Sequence, residues 1–201
     1  MKSRQNLLEV DKIIQRPDLN KYRKALFILH DQLNLEAWPT WIMEEKPLLI
    51  FIESKAKGSS LPYHKKKLIF LLSSMRHFAL ECHELGFPVC YHSTKNHYEE
   101  GLAKILNQSE SMSLTYMMPS EWDSRERLRS LKTAFGDRIH EIPNNFFLAD
   151  VELYKDKIQP GYRMEFFYRD MRRQTGYLMD GNNPEGGEWN YDKENRKKLP
   201  K

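Results

Sequence analysis

No apolar run in this sequence approaches the ~20 residues that cross a bilayer, and Glu9, Asp11 and Asp18 fall where a signal peptide needs an uncharged stretch. Membrane insertion and secretion are excluded on this reading, and a cytoplasmic protein is expected. Cysteine is scarce: Cys82 and Cys90 cannot build a disulfide framework, and a reducing compartment suits them. Nine glycines leave no phosphate-binding loop, because His30-Asp31-Gln32-Leu33-Asn34, after the first apolar run, matches neither G-x-G-x-x-G nor a Walker pattern. A dinucleotide in the usual backbone cradle is therefore not expected. The seven histidines contain no H-x-x-x-H pair and the cysteines no C-x-x-C, so the sequence gives a metal site no support.

What is present describes a globular chain. At 201 residues, with 40% hydrophobic and 12% aromatic content, it can bury one full-sized core. The net charge of +4 raises the question of nucleic acid, which is decided by clustering and not by totals. Residues 1–24 hold seven basic and three acidic side chains and residues 161–201 nine and seven, whereas residues 25–160 hold sixteen and eighteen. The central region is thus slightly acidic.

Residues 25–29 (Ala-Leu-Phe-Ile-Leu) and 48–52 (Leu-Leu-Ile-Phe-Ile) are short continuous apolar runs, the pattern of strands buried on both faces of a parallel sheet. Between Tyr63 and Leu85 the period changes. Leu68, Leu71, Leu72, Met75, Ala79 and Cys82 recur at helical spacing, with Gly86 where a C-cap belongs. Strands at Val89–His92, Leu114–Met118 and Ile139–Ile142 then alternate with helices near Tyr98–Leu106 and Ser124–Ala134. The expectation is an α/β fold, a Rossmann-like parallel five-stranded sheet flanked by helices. The period is lost from Asp150 to Pro160. Met164, Phe167, Tyr168 and Met171 then mark a carboxy-terminal helix, followed by a turn-rich connector at Asp180–Gly187. The implied organisation is an amino-terminal extension (1–23), an α/β domain (24–150) and a linker helix with connecting segment (151–201).

Open parallel sheets bind ligands beyond the carboxyl ends of their strands. Here those ends lead into His30-Asp31-Gln32, Glu53-Ser54-Lys55, Tyr91-His92-Ser93 and Pro119-Ser120-Glu121-Trp122, which suit a planar, hydrogen-bonding ligand. Polar loops are ordinary in any soluble protein, and Asp31 and Glu53 stand out against that background. Lys65, Lys66 and Lys67 open the long helix, where three cations oppose the helix dipole. They either meet an anion or form a solvated face. In the last helix Arg169, Arg172 and Arg173 alternate with Phe166, Phe167 and Tyr168, and Trp189 and Tyr191 follow. That mixture suits stacking and phosphate contact with nucleic acid, and it equally suits aromatics packed inward with arginines paired to Glu165 and Asp170.

Several strings taken together resemble a known family: Asp31-Gln32-Leu33, Tyr63-His64-Lys65-Lys66-Lys67, Ser74-Met75-Arg76-His77-Phe78, residues 164–179 and residues 186–196. They are similar to the deoxyribodipyrimidine photolyase-related proteins, the iron–sulfur bacterial cryptochrome and photolyase group. The resemblance runs from Lys24 to Arg196 and covers that family's front portion. It implies a light-harvesting antenna domain whose pocket for 6,7-dimethyl-8-ribityllumazine is lined by Asp31, Gln32, Ile52, Glu53, Lys57 and Leu71. Lys57 stands where the family's pattern can carry a carboxylate. It further implies that Arg169, Arg172, Arg173, Trp189, Asn190, Asn195 and Arg196 contact DNA or a neighbouring domain. FAD and a four-cysteine iron–sulfur cluster belong to a flavin-binding helical domain that this chain lacks or meets as a separate partner. Alone, the chain is not expected to repair DNA. The rival expectations are a free-standing module for a nucleotide or flavin-like metabolite, and a fragment whose Phe167, Tyr168 and Trp189 face has lost its covering domain.

Overall fold

A computed structural model describes Val10, Ile14, residues 16–149 and residues 151–192, with only the backbone of Val151. The chain divides into two compact units, Met1–Phe146 and Phe147–Lys201. In the first, β1 (Lys24–Phe27), α1 (Thr40–Glu45), β2 (Leu48–Ser54), α2 (Lys55–Gly58), α3 (Lys65–Glu84), β3 (Val89–Thr94), α4 (Tyr98–Gln108), β4 (Ser113–Met117), α5 (Trp122–Phe135) and β5 (Ile139–Ile142) follow one another. In the second, α6 (Val151–Tyr154) and α7 (Met164–Thr175) precede a two-residue pairing of β6 (Met179–Asp180) with β7 (Asn183–Pro184).

The sheet has the strand order β3-β2-β1-β4-β5, and every pairing in it is parallel. This is the α/β arrangement read from the sequence. Its central registers set Phe27 beside Ile50 and Tyr116, and Ile50 beside Cys90. Because side chains alternate along a strand, the continuous apolar runs serve two cores. Ala25, Phe27, Leu29, Leu48, Ile50 and Ile52 pack with Leu102, Ile105 and Leu106 of α4 and Leu128 of α5. Leu26, Ile28, Leu49 and Phe51 pack with Phe78, Ala79 and Cys82 of α3 and with Trp38 and Ile42. Val10 and Ile14 are buried in this second core, so the amino-terminal extension contributes to the fold.

Helix α3 runs the length that its spacing implies, but its apolar stripe has two fates. Met75, Phe78, Ala79 and Cys82 are buried, while Leu68, Leu71 and Leu72 are only half-buried. The helix therefore extends beyond the sheet. Its end is a Schellman turn: Gly86 N–H donates to the His83 carbonyl and Phe87 N–H to that of Cys82, both at 3.0 Å. Gly86 has φ +83°, and a Cβ there would stand 3.3 Å from Lys46 Nζ.

Two short helices differ from the sequence expectation. Helix α1 buries only Ile42 and ends at Lys46 with φ 45°; its six residues between Pro39 and Pro47 are too few to display a period. In the second unit α6 lies in the stretch that reads as aperiodic, held by the buried Tyr154 ring edge-on to Phe167 at 4.8 Å. Among the described residues, no helix is long and apolar enough to cross a membrane.

Gly86→Ala tests the α3 terminus. The left-handed backbone at this position is expected to cost about 1 kcal/mol with a Cβ present, read as a lower urea midpoint with an unchanged m-value. Equal stability of the variant would contradict the turn geometry.

Candidate functional site

The overhanging half of α3, the ends of β1 and β2, and the loop before α5 enclose a cavity with about 770 Å³ of empty space counted out to its mouth. Its walls are mainly apolar: Ile28, Leu29 and Ile52 from the strands, and Leu68, Leu71 and Met75 from α3. Tyr63 and Tyr98 add aromatic surface. The polar groups are few and gathered at the strand ends, among them Glu53, Lys57, Glu121 and Ser124. A size and composition of this kind match small-molecule sites.

Four of the six residues named for the pocket, Ile52, Glu53, Lys57 and Leu71, line this cavity. Gln32 does something else. Its amide donates to the Met117 carbonyl at 3.1 Å and accepts from Leu29 N–H at 3.4 Å, fully buried. It thereby stitches the end of β1 to the end of β4. Asp31 is exposed and is not among the residues lining the cavity.

Glu53 is bound from two sides. Arg76 of α3 donates Nε and Nη2 to its two carboxylate oxygens at 2.6 and 2.9 Å, and the Tyr91 hydroxyl of β3 donates to it at 2.5 Å. The Glu53 and Arg76 side chains are 12% and 27% exposed, so both charges are largely withdrawn from water. Hydrogen bonding to Glu53 raises the Arg76 guanidinium above its ordinary range against the opposing effect of burial. Burial, and then the bond to Glu53, raise the Tyr91 phenol. This arrangement fastens the overhanging helix to the end of β2, and neither Arg76 nor Tyr91 was singled out by sequence reasoning. Arg76 was visible only as a lone guanidinium among the apolar positions of α3.

Lys57 pairs with Glu121, which also accepts from the Ser124 hydroxyl at 3.3 Å. Burial alone would raise the Glu121 carboxyl. The Lys57 hydrogen bond and charge, with the nearby His30, outweigh that and hold it below the ordinary carboxylate range. Tyr98 stacks obliquely on Phe27 at 5.4 Å and donates to the Ser124 carbonyl at 3.3 Å; burial pushes its phenol up to about 12. Lys67 holds its ammonium 4.7 Å above the Tyr63 ring at the cavity wall, while Lys65 and Lys66 are exposed.

In the second unit the Trp189 ring receives three guanidiniums, those of Arg169, Arg172 and Arg173, at 5.4, 5.3 and 4.9 Å. Arg172 is 7% exposed and donates to the Leu178 carbonyl, so its charge serves the unit's interior. Arg169 pairs with Glu165 and Arg173 with Asp170. Asn190 accepts from the backbone of Asp192 at 2.7 Å. Asn195 and Arg196 lie outside the described residues.

Cys82 and Cys90 are both buried, and burial pushes the Cys82 thiol up to about 12 and raises that of Cys90. They lie in opposite cores. An iron–sulfur cluster needs four thiolates, and the two cysteines of this chain do not fit one. Among the described residues, no group of three or more His, Cys, Asp or Glu side chains is placed to hold a metal ion.

Comparison with known proteins identifies the lineage. The model of the family described as "deoxyribodipyrimidine photo-lyase-related protein" matches residues 26–201. The chain belongs to this family. It is 31% identical over 181 residues to a (6-4) photolyase of Agrobacterium fabrum, covering 86% of this chain and 36% of that protein. It is also 27% identical over 147 residues to an uncharacterized protein, R852, of Acanthamoeba polyphaga mimivirus, covering 70% of this chain and 74% of that one. The chain thus spans little more than a third of the photolyase and most of the viral protein's length.

Arg76→Met leaves the Glu53 carboxylate withdrawn from water without its cation, and a loss of about 3 kcal/mol is expected. Chemical denaturation measures it, and a loss within experimental error would show that the pair does not fasten α3. The Lys57–Glu121 pair has an acid limit. A folded-state value below the ordinary one means that its contribution is complete above the ordinary carboxylate pKa and is lost as pH falls through the lowered value. Glu121→Gln should therefore flatten part of the fall in Tm between roughly pH 5 and pH 3, and an unchanged slope would remove the pair from the acid response.

Proposed function

We propose that the first unit of this photolyase-related chain is a light-harvesting domain that holds 6,7-dimethyl-8-ribityllumazine in the cavity between the ends of β1 and β2 and the overhang of α3. The observation that carries this reading is the cavity's composition. Leucines and tyrosines supply flat apolar surface, and charged groups collect along one rim at the strand ends. A fused heteroaromatic ring system has that same division between apolar faces and a polar edge.

Bound there, the lumazine supplies absorption of violet-blue light and transfer of the excitation to a reduced flavin. This chain's residues have a different task. Leu71 and Leu68 press on the ring face and exclude water, Ile52 forms the floor, and Glu53 secures the helix that carries the upper wall. FAD and the cluster belong to a helical flavin-binding partner domain, and DNA repair or blue-light signalling requires it. The Arg169, Arg173 and Trp189 surface of the second unit is the segment we assign to contact with that domain or with DNA, alongside the internally committed Arg172.

The test is titration of 6,7-dimethyl-8-ribityllumazine into the purified chain, followed by fluorescence polarisation. Saturable binding is expected, weakened by about tenfold or more in Leu71→Arg, because a buried cation without a partner then opposes the ring. Absence of saturable binding to the wild-type chain would overturn the antenna reading. Binding of riboflavin or a nucleotide in its place would favour the rival metabolite module.

A further inference from the structure

Lys57 and Glu121 approach each other from opposite sides of the cavity mouth. Lys57 lies on α2, directly after β2, and Glu121 is the residue that caps the start of α5, after β4. Since β1 lies between β2 and β4 in the sheet, this ion pair spans the end of β1. The side chains are 21% and 44% exposed, and both line the cavity. Neither is saturated. Glu121 receives Lys57 and Ser124 on one oxygen, Oε2, and among the described residues its Oε1 accepts no hydrogen bond. An ammonium has three N–H groups, of which Glu121 takes one. The rim therefore presents an open donor beside an open acceptor.

From this juxtaposition we propose that Lys57 and Glu121 form a specificity clasp for the cavity, with Lys57 donating to a ring carbonyl and the Glu121 carboxylate accepting from the adjacent ring N–H. The ligand class so selected is a neutral heteroaromatic ring with an imide edge, as in a pyrimidinedione. A ligand with only acceptors along that edge would leave Glu121 facing lone pairs. A purely anionic ligand would meet its charge. The inference rests on the cavity being a ligand site, as the antenna reading holds, but it concerns the edge recognised and not the identity of the ring system.

Two kinds of change test it on the full chain. On the ligand side, 6,7-dimethyl-8-ribityllumazine is compared with its N3-methyl derivative, which keeps the ring and removes the N–H. The derivative is expected to bind about tenfold or more weakly, the effect of losing one hydrogen bond to a charged group. On the protein side, Lys57→Met and Glu121→Gln are each expected to weaken binding of the parent lumazine by a similar factor. The double exchange Lys57→Glu with Glu121→Lys should restore thermal stability without restoring affinity, because it reverses donor and acceptor. Equal affinity for the parent and methylated ligands overturns the clasp while leaving the antenna reading intact. So does full recovery of affinity in the double exchange, since the pair would then only hold the loops. Binding of riboflavin but not of the lumazine, with the same dependence on Lys57 and Glu121, would sink the antenna reading and sustain the clasp. Failure of the wild-type chain to bind either ring would defeat both. The methylated ligand requires no variant to fold, so the clasp stays testable if a substitution destabilises the chain.

Discussion

The bidentate contact between Glu53 and Arg76 is the constraint on which the cavity depends. Twenty residues of helix cross the sheet, yet only the portion from Met75 onward is buried against it. The preceding turns carry leucines that the sheet does not reach, and a free apolar overhang would gain more by collapsing onto the strand ends than by standing over a space. Arg76 lies at the boundary between the two portions. By holding both oxygens of a carboxylate that ends β2, with Tyr91 as a second donor, it fixes the height of the overhang. A largely buried ion pair is weak evidence for net stability, because desolvation offsets much of the attraction. Its directional geometry is what an apolar contact at the same place could not supply.

The cavity is also displaced from the place that the strand order would suggest. In a sheet ordered 3-2-1-4-5, chain direction reverses between β1 and β4, and ligands of such folds lie in the crevice there. Here Gln32 spans that crevice, joining Leu29 to Met117, and is itself buried. The open space lies instead on the β2 side, beneath α3. The missing glycine-rich loop and the occupied crevice thus agree: with no backbone cradle for a pyrophosphate at the end of β1, the polar recognition groups come from the loops after β2 and β4.

Much of this was legible in the sequence for a simple reason. Strands buried on both faces read as unbroken apolar runs, and a long helix repeats its stripe often enough to be recognised, so β1, β2 and α3 could be placed from local pattern. The strand ends followed from them, and with the strand ends came Ile52, Glu53 and Lys57. What local pattern cannot carry is pairing across the chain. Arg76 is 23 positions from Glu53, and Glu121 is 64 from Lys57. Nothing in either neighbourhood marks its partner. Gln32 was correctly noticed as unusual after a strand, but whether its amide faced a ligand or a carbonyl of β4 depended on which strand lay beside β1. The short helices failed for lack of length, since α1 buries one residue and α6 is a single turn.

The second unit follows a different physical logic from the first. Helix α7 has few residues to bury, and its order comes from one aromatic ring against which three guanidiniums lie. Like charges brought to within about 6 Å of one ring repel one another, and cation–π attraction of ~1 kcal/mol each does not by itself overcome that. Partners supply the balance: Glu165 for Arg169, Asp170 for Arg173 and the Leu178 carbonyl for Arg172. Mean charge along the segment therefore says little about its capacity for phosphate. The two arginines with carboxylate partners at the surface can exchange them for another anion, whereas Arg172, withdrawn from water and bound to a carbonyl of its own unit, would have to give up the contact that orders the turn after α7.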